Sequence, residues 1–166
     1  MKKHWSMTVF TCFCLALLAL NCQQQQPAAD TRAADEEAIR GVNPTWFKAY
    51  NAGDVNSIVA LYVEDAVLNP PGAPPARGHS AIREYLTKDV AASTAGGITL
   101  NGDPTTDVGV SGDLGWEWGT FTVKDKSGST IDTGKYLTVY GKKDGKWLII
   151  RDIWNTDTPM QMQETK

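Results

Sequence analysis

Beyond residue 22 the sequence contains no cysteine, because Cys12, Cys14 and Cys22 all lie near its start. For the rest of the chain this excludes a thiol nucleophile, a thiolate metal site and a disulfide framework. Histidine is almost as scarce. Only His79 lies beyond His4, and one histidine does not make a metal site, which takes three or more ligands. Basic residues are not clustered: 16 Lys and Arg stand against 19 Asp and Glu, for a formal net charge of −3. Without a basic stripe there is no surface for a nucleic-acid backbone. No phosphate-cradling Gly-rich loop, Ser/His/Asp set or internal repeat is visible, and nothing calls for a cofactor.

What is present begins with a basic Lys2-Lys3-His4 start and an apolar run from Val9 to Leu20 broken by Thr11. About a dozen apolar residues fall short of the roughly 20 that span a bilayer. The run ends in Leu18-Ala19-Leu20-Asn21-Cys22, followed by four Gln. This resembles a bacterial lipoprotein leader, which implies acylation of Cys22, export and an outer-membrane anchor facing the periplasm. A plain cleaved signal and an uncleaved anchor are the alternatives. The expected division is a signal peptide over 1–21, a lipidated Cys with a flexible tether over 22–34, one domain over 35–157 and a tail over 158–166.

Within the domain, Ile39, Val42, Trp46 and Tyr50 recur at helical spacing, with acidic residues Asp35 to Glu37 at the start and Pro44 as an interruption that kinks the helix or begins a second piece. Gly53 ends this stretch. Asp54 caps a second helix carrying Ile58, Leu61 and Tyr62, and a short strand follows over about 66–69. The Pro70–Pro75 run predicts a stiff loop, and a third helix starts at His79 or Ser80. After Gly96-Gly97 the period becomes two, predicting strands near 98–110, 115–124, 132–142 and 146–155. Helices followed by long strands predict an α+β fold.

Tyr50-Asn51-Ala52-Gly53-Asp54, then Leu61 to Ala66, then Arg77-Gly78-His79-Ser80-Ala81-Ile82 resemble the nuclear transport factor 2-like superfamily, and more closely its SnoaL-like and ketosteroid-isomerase-like branch. Tyr136 to Tyr140, Gly145-Lys146-Trp147 and Arg151 to Asn155 extend the resemblance over residues 35–157. It implies a cone: a strongly curved antiparallel sheet wrapped over three N-terminal helices, with a pocket at the open end. It also implies a homodimer through the outer sheet face. The isomerase base and oxyanion hole of this branch would fall at Asn69 or Pro70, at Trp46 and near Tyr136. Those residues do not retain the chemistry, so isomerisation by that mechanism is not expected.

The last Trp of the pattern usually lines the pocket in such proteins. Strand parity from Trp154 then places Asp152, Ile150 and Leu148 on the inner side. Asp152 is the candidate general acid or base, with Tyr136 as a hydrogen-bond donor to a developing oxyanion. Trp46, Tyr50, Tyr62, Asn69, Tyr85, Trp116, Trp118, Ile150 and Trp154 are the candidate pocket wall, although for Trp116 and Trp118 simple core filling is the favoured alternative. The first expectation is a cell-envelope protein that binds a small, largely apolar molecule. The alternatives are an isomerase, cyclase or hydrolase using Asp152, and a protein-interaction module with a filled cone.

Overall fold

The computed structural model describes residues 31–104 and 107–158. Cys22, the leader, most of the tether and nearly all of the tail lie outside the described residues.

The first helical stripe folds as two helices, α1 (Arg32–Arg40) and α2 (Val42–Asn51). The break falls at Gly41, and Pro44 belongs to the start of the second piece. Pro44 sits in the first turn of α2, where a missing N–H removes no helical bond. Helix α1 begins at Arg32, inside the stretch expected to be tether, and the Thr31 hydroxyl bonds Asp35 Oδ2 at 2.7 Å. Asp35 does more than complement a helix end. It is buried, and its Oδ1 accepts from Lys142 Nζ at 2.7 Å and Trp147 Nε1 at 3.0 Å. Asp54 caps the short α3 (Val55–Val59) by accepting from the Ser57 N–H at 3.0 Å.

Helix α3 ends before Tyr62. That residue opens β1 (Tyr62–Asn69), which is longer than the spacing predicted. After the Pro-rich loop come β2 (Ala76–Arg77) and α4 (Gly78–Gly96). Gly97 ends α4 in the left-handed region at φ 64°, and the Ile98 N–H closes on the Ser93 carbonyl at 2.9 Å.

The strand expected over 98–110 divides into β3 (Thr99–Gly102) and β4 (Asp107–Ser111). Both pair with the same edge of β5 (Leu114–Lys124), β4 along its first half and β3 along its second. Pro104, which has no N–H to give a ladder, lies between them. Two long strands, β6 (Thr130–Lys143) and β7 (Lys146–Thr156), complete an open sheet of order β2-β1-β7-β6-β5-β3, with β4 beside β5. Neighbours are antiparallel except β1 and β7, which run parallel. The fold is the α+β cone type, a curved sheet with its inner face against the helices.

The core between them holds Ile39, Ile58, Leu68, Ile82, Tyr140 and Ile149, each fully buried. Burying such side chains stabilises by roughly 1.5–3 kcal/mol each. The inward residues alternate along each strand: Gly115, Glu117, Gly119 and Phe121 on β5, then Gly134, Tyr136, Thr138 and Tyr140 on β6. On β7 the alternation breaks. Trp147 and Ile149 are buried, as is Asp152, and the pairing with β6 shifts between Val139 and Tyr140.

Candidate functional site

A cleft of about 190 Å³ opens between α2, α4 and the inner faces of β5 to β7. Its walls are chiefly aromatic. Trp46, Phe47 and Tyr50 come from α2, Phe121 from β5, Tyr136 from β6 and Trp154 from β7. Trp46 and Tyr50 stack with ring centroids 5.1 Å apart, one helical turn apart on α2. Asp152 and Thr138 also line the cleft.

Asp152 is 8% exposed and both carboxylate oxygens are engaged. Oδ2 accepts from the Tyr62 hydroxyl at 2.7 Å, and Oδ1 from the Thr138 hydroxyl at 3.1 Å. The Tyr62 oxygen in turn accepts from Trp46 Nε1 at 3.0 Å, forming a chain from the cleft wall through the core to the carboxylate. Burial raises the Asp152 carboxyl above the ordinary range, while the two hydroxyl donors pull it down. Tyr62 is pushed well above the ordinary phenol range by its own burial and by Asp152, so it remains a donor.

Sequence reasoning missed a second buried carboxylate. Glu117 is 1% exposed. Its Oε2 accepts from Asn43 Nδ2 at 2.8 Å and the Tyr140 hydroxyl at 2.9 Å, and its Oε1 accepts from the Tyr136 hydroxyl at 3.1 Å. Burial raises its carboxyl, against those three donors. Glu117 faces a second hollow of about 410 Å³, and Asn43, Phe47, Leu100 and Tyr136 line both spaces. Tyr136 therefore serves Glu117 in this structure, not Asp152. A third polar group lies on the helical side, where the Tyr50 hydroxyl donates to Asp89 Oδ2 at 2.6 Å and meets Ser93 Oγ at 2.7 Å. Every buried side-chain nitrogen and oxygen among the described residues has a hydrogen-bond partner. No group of three or more metal-type ligands converges among them.

Of the wall residues expected from sequence, the cleft collects Trp46, Tyr50 and Trp154, together with Asp152 and Tyr136. Tyr62 and Asn69 lie behind it. Tyr62 is 2% exposed beneath Asp152, and Asn69 Nδ2 donates to the Asp152 backbone carbonyl at 3.0 Å. Tyr85 packs edge-on against Trp154, with centroids 6.2 Å apart, one layer outside the cleft.

Three placements are corrected. Trp116 and Trp118 are exposed on the outer sheet face, because the inward positions of β5 belong to Gly115, Glu117 and Gly119. Ile150 also turns outward, with its Cγ2 beside Gly141, because the bulge on β7 resets parity between Ile149 and Asp152. The signal for Glu117 was in the sequence. Gly115-x-Glu117-x-Gly119-x-Phe121 has period two, and its two glycines leave room on that face for large partners.

The comparisons agree with this architecture. A sequence model of the SnoaL-like domain matches residues 45–150. No curated relative matches the sequence at a significant level. Among solved structures, a nuclear transport factor 2-like protein with a cystatin-like fold from Novosphingobium aromaticivorans is 20% identical at TM-score 0.69, covering 77% of this chain and 86% of its own. A nuclear transport factor 2-like protein of unknown function from Pseudomonas putida is 23% identical at TM-score 0.69, with coverages of 81% and 93%. A ketosteroid isomerase-like protein from Erwinia carotovora is 19% identical at TM-score 0.59, with coverages of 80% and 100%. Likeness at these identities shows the fold and leaves function to the site.

Proposed function

The chain belongs to the SnoaL-like domain family, and from that premise we propose that it binds a small, largely apolar molecule in the aromatic cleft. The carrying observation is a 190 Å³ space walled by aromatic rings and holding one buried, hydrogen-bonded carboxylate, Asp152. An apolar cavity of about 150 Å³ holds benzene, so the ligand portion that enters is about one ring in size. A few polar groups among apolar walls are what fix a ligand's orientation. Native mass spectrometry of protein purified from its host tests this by the mass of a retained ligand. Tryptophan fluorescence titrated with single-ring compounds gives a second readout through Trp46 and Trp154. No retained mass and no fluorescence response would overturn the proposal.

A second reading is enzymatic, with Asp152 as general acid or base. The raised carboxyl favours it, since a proton held nearer neutrality suits transfer. Once a substrate is known, Asp152→Asn abolishes turnover under this reading; unchanged turnover excludes it.

Two further proposals concern placement. The outer sheet face carries Trp118, Leu137 and Ile153 in register across β5, β6 and β7, all exposed, and suits association with a second copy. Acylation of Cys22 would hold the domain at the cell envelope.

A further inference from the structure

Among the described residues, the charge lining the cleft has one sign: two carboxylates, Asp89 from α4 and Asp152 from β7, and no Lys, Arg or His. The carboxylates reach the cleft from different elements and through separate networks. Tyr50 and Ser93 attend Asp89, while Tyr62 and Thr138 attend Asp152. The stacked rings of Trp46 and Tyr50 join the two, since Trp46 bonds Tyr62 and Tyr50 bonds Asp89.

Aromatic faces carry negative potential and attract cations, most strongly where water is excluded. An anionic ligand would meet two carboxylates and ring faces with no compensating charge. A neutral ligand would use the rings but bring no charge to the carboxylates. We infer that the cleft selects a protonated amine borne on a small aromatic or aliphatic ring, with the ammonium group directed to the carboxylates and the ring held between Trp46, Phe121 and Trp154. This rests on the small-molecule reading of the same cleft and specifies its ligand class. The inference requires no covalent step, because recognition follows from charge and shape.

The test uses three probes of nearly equal size: benzylamine, benzyl alcohol and benzoate. Each is titrated into the intact domain at neutral pH by calorimetry and tryptophan fluorescence. Benzylamine is expected to bind about tenfold or more tighter than benzyl alcohol, the ratio that 1.4 kcal/mol gives, and benzoate weakest. Asp89→Asn and Asp152→Asn should each weaken benzylamine more than benzyl alcohol, reducing the amine preference. Asp89 is only half-buried, so its variant decides the matter even if Asp152→Asn folds poorly. Equal binding of amine and alcohol overturns the amine inference and leaves the small-molecule reading standing. An amine preference unchanged in Asp89→Asn and in any folded Asp152→Asn also overturns it. Binding of none of the three overturns both.

Discussion

The Tyr62 hydroxyl donates to Asp152 Oδ2 at 2.7 Å across 90 residues of sequence, from the first residue of β1 to the inner face of β7. This bond ties the cleft carboxylate to the deepest part of the core. Tyr62→Phe keeps the ring and deletes the bond. It leaves a buried carboxylate with one donor fewer and Trp46 Nε1 without its acceptor. A loss of about 1–3 kcal/mol is expected in urea unfolding. The Asp152 carboxyl should also titrate higher in the variant, which carbon-detected NMR of the side chain would read.

The pH dependence of stability should have two limbs of opposite origin. Asp35 is pulled down to about 2, chiefly by its bond from Lys142. Its contribution is fully present above the unfolded value of 3.8 and lost as pH falls towards 2. Asp152 and Glu117 are raised by burial, so the native state holds more protons than the unfolded chain in the window above their ordinary values of 3.8 and 4.5. Their effect is to lower stability as pH rises through that window. Urea midpoints measured from pH 2 to 8 should show a flattened acid limb in Asp35→Asn. In Asp152→Asn the decline on the neutral side should shrink instead.

Gly119 offers a test of Tyr136 that leaves Tyr136 itself intact. A Cβ on Gly119 would lie 2.5 Å from Tyr136 Oη and 2.6 Å from Cζ, so the ring lies over a residue that must have no side chain. Gly119→Ala should displace Tyr136 from Glu117 and cost about 1–3 kcal/mol, the range for overpacking. A tyrosine signal by NMR or ultraviolet absorbance should shift with it. An unchanged midpoint would show that the ring moves aside freely.

If the outer face joins two copies, Trp118→Glu places a charge at one end of the apolar row with Leu137 and Ile153. Light scattering should then report a dimer for the natural sequence and a monomer for the variant, with unchanged circular dichroism. A natural chain that is monomeric at all concentrations removes the proposal.

Cys22→Ser separates the anchor from the domain. In a bacterial host the natural chain should partition with membranes and incorporate labelled fatty acid, and the variant should do neither. Label uptake by the variant would assign the anchor to another residue.

Element types were legible in the sequence because period 3.6 and period two are written plainly in Ile39–Tyr50 and in the strands after Gly97. Boundaries were less so. The break at Gly41 puts Pro44 in the first turn of α2, where its missing N–H is harmless, and Tyr62 joins a strand because α3 stops at Val59. The site was half legible. Asp152 could be placed by counting back from Trp154. Counting further failed at Ile150, because a bulge adds a residue on one strand only and no local composition announces it. Glu117 was hidden by its neighbours. Two tryptophans flanking a glutamate suggest that the rings face inward, and only the bonds from Asn43, Tyr136 and Tyr140 make the reverse arrangement stable.

The strand that carries Asp152 is the last among the described residues, yet it lies between β1 and β6 rather than at an edge. During synthesis, β1 therefore waits for a partner that emerges nearly the whole domain later, and the sheet has a gap until β7 arrives. Closure of that gap and assembly of the Asp152 site are one event. A chain that stops short before β7 has neither a continuous sheet nor Asp152, so loss of β7 removes stability and the buried carboxylate of the cleft together.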